Sequence, residues 1–495
     1  MKRSSLLFTL IISLFLIIIS SPARAQSEET PAGKIIEKVI CRSDASQSYA
    51  LYLPSAYSPA KKWPLIMAFD PAARGRVPVE RFKEAAEKYG YIIIGSNNSR
   101  NGPRNEATAA LRAMWNDATT RYSIDEKRIY AAGFSGGARV ACGVGYALKG
   151  QVAGVIACGA GFPQEIAPSE STPFVFFGTI GTDDFNYPEL KELDRKLGAA
   201  GMPHRIEEFD GGHDWASSEL CVMAIEWMEL QAMRAGRRAR DEKFIAGLFK
   251  NEIDKARAHE AAGRIYQAYV SYDLISRDFK GLKDVAEFEA KAAQLKESKE
   301  TLKAIKQEKE QEDEQKRRAK EPFTLRARIE GPKRATLSDA TDDAAPPDSS
   351  TLSDAVENRM QAMSELKRAI ADLRKKADAK ESSPERSVAR RALNQYLIWS
   401  YERAMSLVRA GKYSVAIAVL SIDAETMPDD WHVLYRLASA YSLSGDKKRA
   451  IDTLKKAVQK GFADSALLEG DNDFNTLRDE PAFKKIIEEL GRKTG

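Results

Sequence analysis

Between residues 64 and 235, short apolar segments alternate with longer segments in which apolar residues recur at helical spacing. Strands that are buried on both faces of a parallel sheet have near-continuous apolar sequences, and the helices between them cover those faces. The alternation therefore predicts an α/β domain with a doubly wound, mostly parallel sheet. The predicted strands are residues 64–69, 91–95, 129–134, 152–157, 174–177 and 204–209, after extended segments at 34–41 and 48–53. The predicted helices are residues 79–89, 107–122, 138–148, 188–200 and 217–235.

The N-terminus has the three parts of a secretory signal peptide. The pair Lys2-Arg3 precedes an apolar run over residues 6–19, and the small residues of segment 20–25 form a cleavage site before Gln26. We therefore predict that residues 1–25 are a signal peptide and that the protein is exported, to the periplasm or out of the cell. An uncleaved N-terminal anchor is the alternative. No later segment is apolar enough to predict a membrane span.

Charge and cysteine content narrow the classes of function. The chain has 495 residues, and its 76 Lys and Arg nearly balance 71 Asp and Glu, so the net charge of +5 gives no reason to expect a nucleic-acid partner. The cysteine spacing resembles no zinc site, and we predict neither a metal nor an organic cofactor. Export permits disulfides, but the sequence leaves disulfide pairing and buried free thiols equally open. The four cysteines are Cys41, Cys142, Cys158 and Cys221.

The composition changes after the α/β domain, to which we assign residues 26–235. Residues 236–321 are rich in charged side chains and are predicted to form a charged helical region. Residues 322–355 contain Pro346-Pro347 and many Ser, Thr and Asp residues, which predicts a flexible linker. Helical periodicity then returns over residues 356–495.

The C-terminal region contains a repeat with a period of 34 residues. The residues that carry it are Gly411, Ala416 and Leu420 in the first copy and Gly445, Ala450 and Leu454 in the second. The period and the alternation of small and large residues resemble the tetratricopeptide repeat, whose unit is a pair of antiparallel helices. This resemblance implies a protein-interaction module, so we expect a protein partner to bind residues 356–495.

A serine flanked by small residues follows one of the predicted strands. In Gly133-Phe134-Ser135-Gly136-Gly137, the serine lies where the predicted strand 129–134 ends and the predicted helix 138–148 approaches. Small neighbours allow a sharp strand-to-helix turn that exposes the hydroxyl above the sheet edge. Because a serine hydroxyl is a poor nucleophile at neutral pH, Ser135 would need a histidine base and an acid that orients this base.

The base and the acid are expected on loops at the same edge of the sheet. Of the four histidines, only His213 lies in a glycine-rich loop after a predicted strand, in Gly211-Gly212-His213-Asp214-Trp215. The chain order serine, acid, histidine places the acid on the loop after strand 174–177. That loop offers Asp183 and Asp184, and we favour Asp184; only one of them is expected to reach the imidazole, because successive side chains point in different directions.

These motifs resemble those of α/β hydrolases, and most closely the secreted esterases that include polyhydroxybutyrate depolymerases and feruloyl or acetylxylan esterases. The resemblance covers residues 34–235 and rests on segment 128–139 and on the Gly-Gly-His-Asp-Trp loop. It implies an oxyanion hole formed by the N–H of Gly136 and by an N–H on the loop after strand 64–69. The family commonly has His-Gly on that loop. This chain has Asp70-Pro71, and proline has no N–H, so Ala72 is the expected second donor.

The leading hypothesis is therefore an exported serine esterase, a carboxylic ester hydrolase, that uses Ser135, Asp184 and His213 on a small-molecule or polymeric ester. One alternative is a binding protein whose hydrolase fold is catalytically weak and whose repeats carry the function; Asp70-Pro71 and the long C-terminal region favour it. A serine peptidase of related fold is the other alternative, because the nucleophile loop does not separate esters from amides.

Overall fold

The computed structural model of the chain describes residues 31–330 and 349–494. The predicted signal peptide, residues 1–25, and residues 331–348 of the predicted linker lie outside these ranges. The described part of the chain contains no helix that is long and apolar enough to cross a membrane.

In the described residues, eight strands form one sheet. They are β1 (Ile35–Cys41), β2 (Asp44–Tyr52), β3 (Trp63–Phe69), β4 (Ile92–Ser96), β5 (Ile124–Phe134), β6 (Val152–Cys158), β7 (Val175–Gly181) and β8 (His204–Phe209). Their order across the sheet is β1-β2-β4-β3-β5-β6-β7-β8. The pairs β1–β2 and β2–β4 are antiparallel, and all other neighbours are parallel. Every residue of β3 and β6 is buried, as expected for central strands that are covered on both faces.

Helices cover both faces of this sheet, which confirms the predicted doubly wound, mostly parallel α/β hydrolase class. These helices are α1 (Arg76–Tyr89), α2 (Arg104–Arg121), α3 (Gly136–Ala147), α4 (Tyr187–Ala199) and α5 (Ser218–Arg234). One apolar layer joins the sheet to α2, α3 and α4 and includes Met114 and Leu190. The layer on the opposite face joins the sheet to α1 and α5 and includes Phe82 and Trp227.

The rest of the described chain is helical. Its helices are α6 (Glu242–Ala261), α7 (Ile265–Phe279), α8 (Ala286–Lys296), α9 (Lys299–Glu330), α10 (Ser349–Ala377), α11 (Pro384–Arg409), α12 (Tyr413–Thr426), α13 (Trp431–Leu443), α14 (Lys447–Gln459), α15 (Ser465–Gly470) and α16 (Pro481–Thr494), with a 3-10 helix at Asn472–Leu477. One apolar cluster joins α5 to α6, α7 and α8, a second joins α9 to α10, α11 and α12, and a third extends from α11 to α16.

Helix α9 continues through the first part of the predicted linker, so the boundary predicted at residue 322 is wrong. Leu325 and Ile329, near the end of α9, are buried in one cluster with residues of α10 and α11. This apolar face holds the segment in a helix, although Pro322 lies inside it. Residues 349–355 of the predicted linker belong to helix α10.

The 34-residue period corresponds to two successive helix pairs, α11–α12 and α13–α14. The two pairs turn at Gly411, with φ of 69°, and at Gly445, with φ of 83°. These left-handed conformations favour glycine, which explains why glycine recurs at this offset. Ala416 and Ala450 are fully buried, so the small residues of the pattern lie where the helices pack. The resemblance to tetratricopeptide repeats stays a prediction.

All four cysteines are buried and none is in a disulfide. Burial raises the pKa of the Cys41 thiol to about 11. The structure therefore favours the second possibility that the sequence left open, in which the cysteines act as small apolar side chains.

A buried arginine connects α9 to α12. The side chain of Arg326 is fully buried, its Nη2 donates to the carbonyl oxygen of Val419 at 2.6 Å, and its Nε donates to Glu330 at 2.8 Å. Its Nη1 pairs with Asp423, which is also buried. Breaking a buried ion pair on one side leaves an uncompensated charge, which is more costly than losing a surface pair.

We therefore expect Arg326→Ala to lower the free energy of unfolding of the helical part by about 3–5 kcal/mol, because Asp423 loses its buried counter-ion. Urea denaturation followed by circular dichroism measures the change. The control is Arg317→Ala on the same helix, whose side chain is 76% exposed and whose replacement should cost about 0.5 kcal/mol or less. Equal stability of the two variants would contradict the prediction.

Candidate active site

Ser135 lies in a strained turn between β5, which ends at Phe134, and α3, which begins at Gly136. Its φ is 53° and its ψ is −121°. Among the described non-glycine residues, only Ser135 and Ala73 have a positive φ. Such a conformation costs about 1–3 kcal/mol and occurs mainly at functional sites. The N–H of Ser135 donates to the carbonyl oxygen of Cys158 at 2.8 Å, which fixes the turn against β6.

Close backbone contacts explain the glycines on either side of the serine. A Cβ on Gly133 would lie 2.0 Å from the carbonyl oxygen of Gly137, and a Cβ on Gly137 would lie 2.0 Å from that of Phe69. Neither distance can accommodate a side chain, and both partners are backbone atoms. The first turn of α3 can therefore approach the end of β3 only when glycine occupies these positions.

The structure brings Asp184 and His213 together. Nδ1 of His213 lies 2.8 Å from Oδ2 of Asp184, whose side chain is only 1% exposed. Asp184 is on the loop after β7 and His213 is on the loop after β8, so both residues are at the same sheet edge as Ser135. Because Nδ1 is bonded to the carboxylate, Nε2 on the other side of the ring is the nitrogen that can accept a proton.

Two aromatic side chains enclose the imidazole of His213. The ring centroid of Phe134, the residue before Ser135, lies 4.5 Å from that of the imidazole, and the centroid of Phe185 lies 4.3 Å from it. The side chain of His213 is 15% exposed as a result. The imidazole is thereby held beside the residue that precedes the serine.

Asp183 has a different partner from Asp184, and this difference distinguishes the two aspartates that the sequence offers as partners of His213. Its Oδ2 accepts a hydrogen bond from Nη1 of Arg390, on helix α11, at 2.8 Å. Burial raises the pKa of Asp183, but hydrogen bonds from Ser387 and Arg390 outweigh this effect and hold its pKa below the ordinary value. Asp183 therefore links the loop after β7, here called the acid loop, to the helical part of the chain, whereas Asp184 faces the histidine.

The predicted oxyanion donor Ala72 has its N–H bonded elsewhere. This N–H donates to Oδ1 of Asp70 at 2.8 Å. Asp70 is fully buried, and it also accepts from both Nε and Nη2 of Arg74 and from Nε1 of Trp215, each at 2.9 Å. Burial raises the pKa of the Asp70 carboxyl, but these hydrogen bonds outweigh burial and lower it. The Asp70 carboxylate thus binds the N–H that the sequence predicts to be a free donor.

Gly136, the other expected donor, is the first residue of α3, where an N–H has no partner inside the helix. The side chain of Asn101 lies directly against it, because a Cβ on Gly136 would be 1.8 Å from Oδ1 of Asn101. Asn101 in turn donates from Nδ2 to Oε1 of Glu402, on α11, at 3.0 Å. No pattern in the sequence points to Asn101 or Glu402, since 301 positions separate them.

Helix α11 contacts the site from both sides. Near its start, Arg390 bonds Asp183 and Arg391 donates to the carbonyl oxygen of Thr182 at 2.9 Å. Glu402 bonds Asn101 twelve residues later, which is about 18 Å along a helix. Helix α9 adds a bond from Nε2 of Gln315 to the carbonyl oxygen of Phe185 at 2.9 Å. The acid loop is therefore held by the helical part as well as by the sheet.

Two cavities adjoin these residues. One, of about 600 Å³, lies between α2 and α3 and is lined by Asn101, Gly136, Leu111, Val140 and Ile166 among others. A second, of about 1260 Å³, lies between the α/β part and helices α9 and α11. Its lining includes Phe185, which contacts the histidine, and Phe323.

No family model and no curated protein matches the chain. Several solved structures resemble part of it. A ferulic acid esterase is 18% identical with a TM-score of 0.33, covering 39% of this chain and 97% of its own. The fluorophosphonate-binding serine hydrolase F of Staphylococcus aureus, solved with bound substrate, is 12% identical with a TM-score of 0.32. The match covers 40% of this chain and 98% of the hydrolase. An esterase of Pyrobaculum calidifontis is 10% identical with a TM-score of 0.34, and the match covers 41% of this chain and 87% of the esterase. At such identities and TM-scores the likeness carries no inference about activity.

The close packing at Gly137 predicts a contrast between two glycines of α3. We expect Gly137→Ala to lower the free energy of unfolding by about 1–3 kcal/mol or more, because its Cβ would overlap the carbonyl oxygen of Phe69. Gly143 is the matched control, since a Cβ there meets no atom within 4 Å. Gly143→Ala should leave the stability unchanged or raise it by up to about 1 kcal/mol, through the higher helix propensity of alanine. Thermal and urea denaturation measure both variants, and a similar loss in both would contradict the prediction.

Proposed function

We propose that the chain is a serine hydrolase, and specifically a carboxylic ester hydrolase. The observation that carries the proposal is the 2.8 Å bond between His213 and the buried Asp184, at the sheet edge where Ser135 occupies a strained turn. A histidine oriented by a buried carboxylate is the base that a serine hydroxyl needs in order to act as a nucleophile.

The proposed reaction is acyl transfer in two steps. Ser135 Oγ attacks the ester carbonyl while Nε2 of His213 takes the hydroxyl proton, and Asp184 stabilises the imidazolium through Nδ1–H. The N–H of Gly136 donates to the oxyanion, and the tetrahedral intermediate collapses as His213 returns the proton to the leaving alcohol. Water then enters, gives its proton to His213 and attacks the acyl-serine, which releases the carboxylic acid and restores the hydroxyl.

A second candidate function is a catalytically weak, ligand-binding hydrolase fold. The observation in its favour is the bond between the Ala72 N–H and Asp70, because the loop donor expected for the oxyanion is already occupied. Loss of one oxyanion donor typically costs about 10²–10³ in rate. The two candidates therefore differ in turnover and not in fold.

Labelling by a fluorophosphonate probe and hydrolysis of short acyl esters test the proposal. We expect the wild type to be labelled, and Ser135→Ala to abolish labelling because the nucleophile is gone. His213→Ala should lower kcat by on the order of 10⁴-fold or more. Absence of labelling and of hydrolysis in the folded wild type would reject the esterase in favour of the binding protein.

The two aspartates provide a matched pair for the acid. Asp184→Asn should lower kcat by on the order of 10³–10⁴-fold, because an amide at this position does not stabilise the imidazolium and favours the wrong tautomer. Asp183→Asn should have a much smaller effect, because Asp183 bonds Arg390 and not the histidine. Equal losses, or a larger loss in Asp183→Asn, would contradict the assignment of Asp184 as the acid.

Export of the enzyme and binding of a protein partner by residues 356–495 are further parts of the proposal, and both rest on the sequence. The N-terminal sequence of the protein purified from an exporting bacterial host tests the first of them. A mature chain that begins at Gln26 is expected. A chain that still begins at Met1 and sediments with membranes would indicate the uncleaved anchor instead.

A further inference from the structure

We propose that Arg391, on helix α11, is a positioning residue: it holds the acid loop in the conformation that directs Asp184 at His213, at a cost to the stability of the fold. The inference rests on the proposed ester hydrolysis, and it makes the activity of the α/β part depend on the helical part. Arg391 follows Thr182, its partner in the acid loop, by 209 positions, so no local pattern in the sequence points to it.

Arg391 contacts the segment that carries Asp184 at both of its ends. Nη1 of Arg391 donates to the carbonyl oxygen of Thr182 at 2.9 Å. The guanidinium carbon lies 4.4 Å from the ring centroid of Tyr187, the first residue of α4, which is the geometry of a cation–π contact. One side chain of α11 therefore restrains the chain on both sides of the acid.

The conformation of this segment determines where the carboxylate of Asp184 points. Oδ1 of Asp184 accepts the backbone N–H of Asn186 at 2.8 Å, and Oδ2 lies 2.8 Å from Nδ1 of His213. Because the backbone of the loop holds one oxygen, a change in the loop would redirect the other oxygen away from the histidine. A displacement of about 1 Å can cost about 10²-fold in rate.

Stability does not account for an arginine at this position. Arg391 is only 2% exposed, and none of the described residues accepts a hydrogen bond from its Nε or Nη2. Burial lowers the pKa of the guanidinium below its ordinary value, although neighbouring carboxylates such as Asp183 act in the opposite direction. A buried charge with unpaired donors destabilises a fold, and an apolar side chain of similar volume is often neutral or stabilising in its place. What the arginine supplies is its contact with the acid loop.

Arg391→Met tests the proposal, because methionine keeps an unbranched side chain and removes both the charge and the donors. We expect kcat for a short acyl ester to fall by about 10–100-fold with KM changed by no more than about threefold, since the acid is misdirected while the substrate still binds. The midpoint of urea unfolding should stay at or above that of the wild type. A merely structural role would lower the midpoint together with kcat.

A double substitution shows whether Arg391 acts through Asp184. Residues that act as a unit have non-additive effects on rate. Arg391→Met should therefore slow labelling by a fluorophosphonate probe by about tenfold or more in the wild-type background, and by less than about threefold in the Asp184→Asn background. Equal slowing in the two backgrounds would overturn the positioning role.

Two further variants of α11 serve as controls. Arg403→Met is the same substitution on the same helix, at a side chain that is 34% exposed and pairs with Glu330, and its kcat should stay within about threefold of the wild type. Arg391→Lys keeps the charge and a donor, so its kcat should lie between the values of the wild type and Arg391→Met.

The failures of the two proposals are distinguishable. If the wild type is labelled and active while Arg391→Met keeps its kcat within about threefold, the positioning role is rejected and the esterase stands. Unfolding of Arg391→Met at a lower urea concentration, with equal slowing in both backgrounds, would assign Arg391 to folding alone and also reject the role. An unlabelled, inactive wild type would reject the esterase and this inference together.

Discussion

The first turn of α3 rests against the end of β3 at a distance that leaves no room for a side chain. A Cβ on Gly137 would meet the carbonyl oxygen of Phe69 at 2.0 Å. This approach makes the chain turn sharply from the end of β5 into α3, and Ser135 in this turn has a positive φ. The same turn places the N–H of Gly136 beside the serine. One backbone contact thus determines the conformation of both Ser135 and Gly136, the two residues of this turn that the proposed reaction uses.

The acid side of the site depends on the helical part of the chain. The acid loop carries Asp184 towards the histidine, and its neighbours Thr182, Asp183 and Phe185 each bond a side chain from α9 or α11. The start of α3 has a comparable link, because Asn101 contacts Gly136 and bonds Glu402. Although the sheet supplies the loops, the helices restrict where those loops can lie. The helical part is therefore a structural component of the candidate site, in addition to any partner that it binds.

The sequence predicts well those features that local pattern determines. The apolar runs predict the central strands, and the glycines around Ser135 predict a turn that the backbone contacts at Gly133 and Gly137 explain. The sequence favours Asp184 over Asp183 but does not show what separates them, because Arg390, the partner of Asp183, lies 207 positions away. Likewise, the resemblance implies Ala72 as the second donor because Pro71 has no N–H, but it does not show that the Asp70 carboxylate binds the Ala72 N–H in the folded chain. Composition predicts a linker from residue 322 because it does not show that Leu325 and Ile329 are buried on one face of a helix.

The bond between Asn101 and Glu402 also concerns the order in which the chain is made. A ribosome that adds about 5–20 residues per second needs roughly 15–60 s to cover the 301 positions between them. In the later part of that interval, after His213 has been added, the nascent chain has the segments that form the sheet together with Ser135, Asp184 and His213, but it does not yet have Glu402. A chain released at that stage would contain Ser135 and lack helix α11, which bonds Asp183 and Asn101. Synthesis of α11 must therefore precede the formation of these contacts.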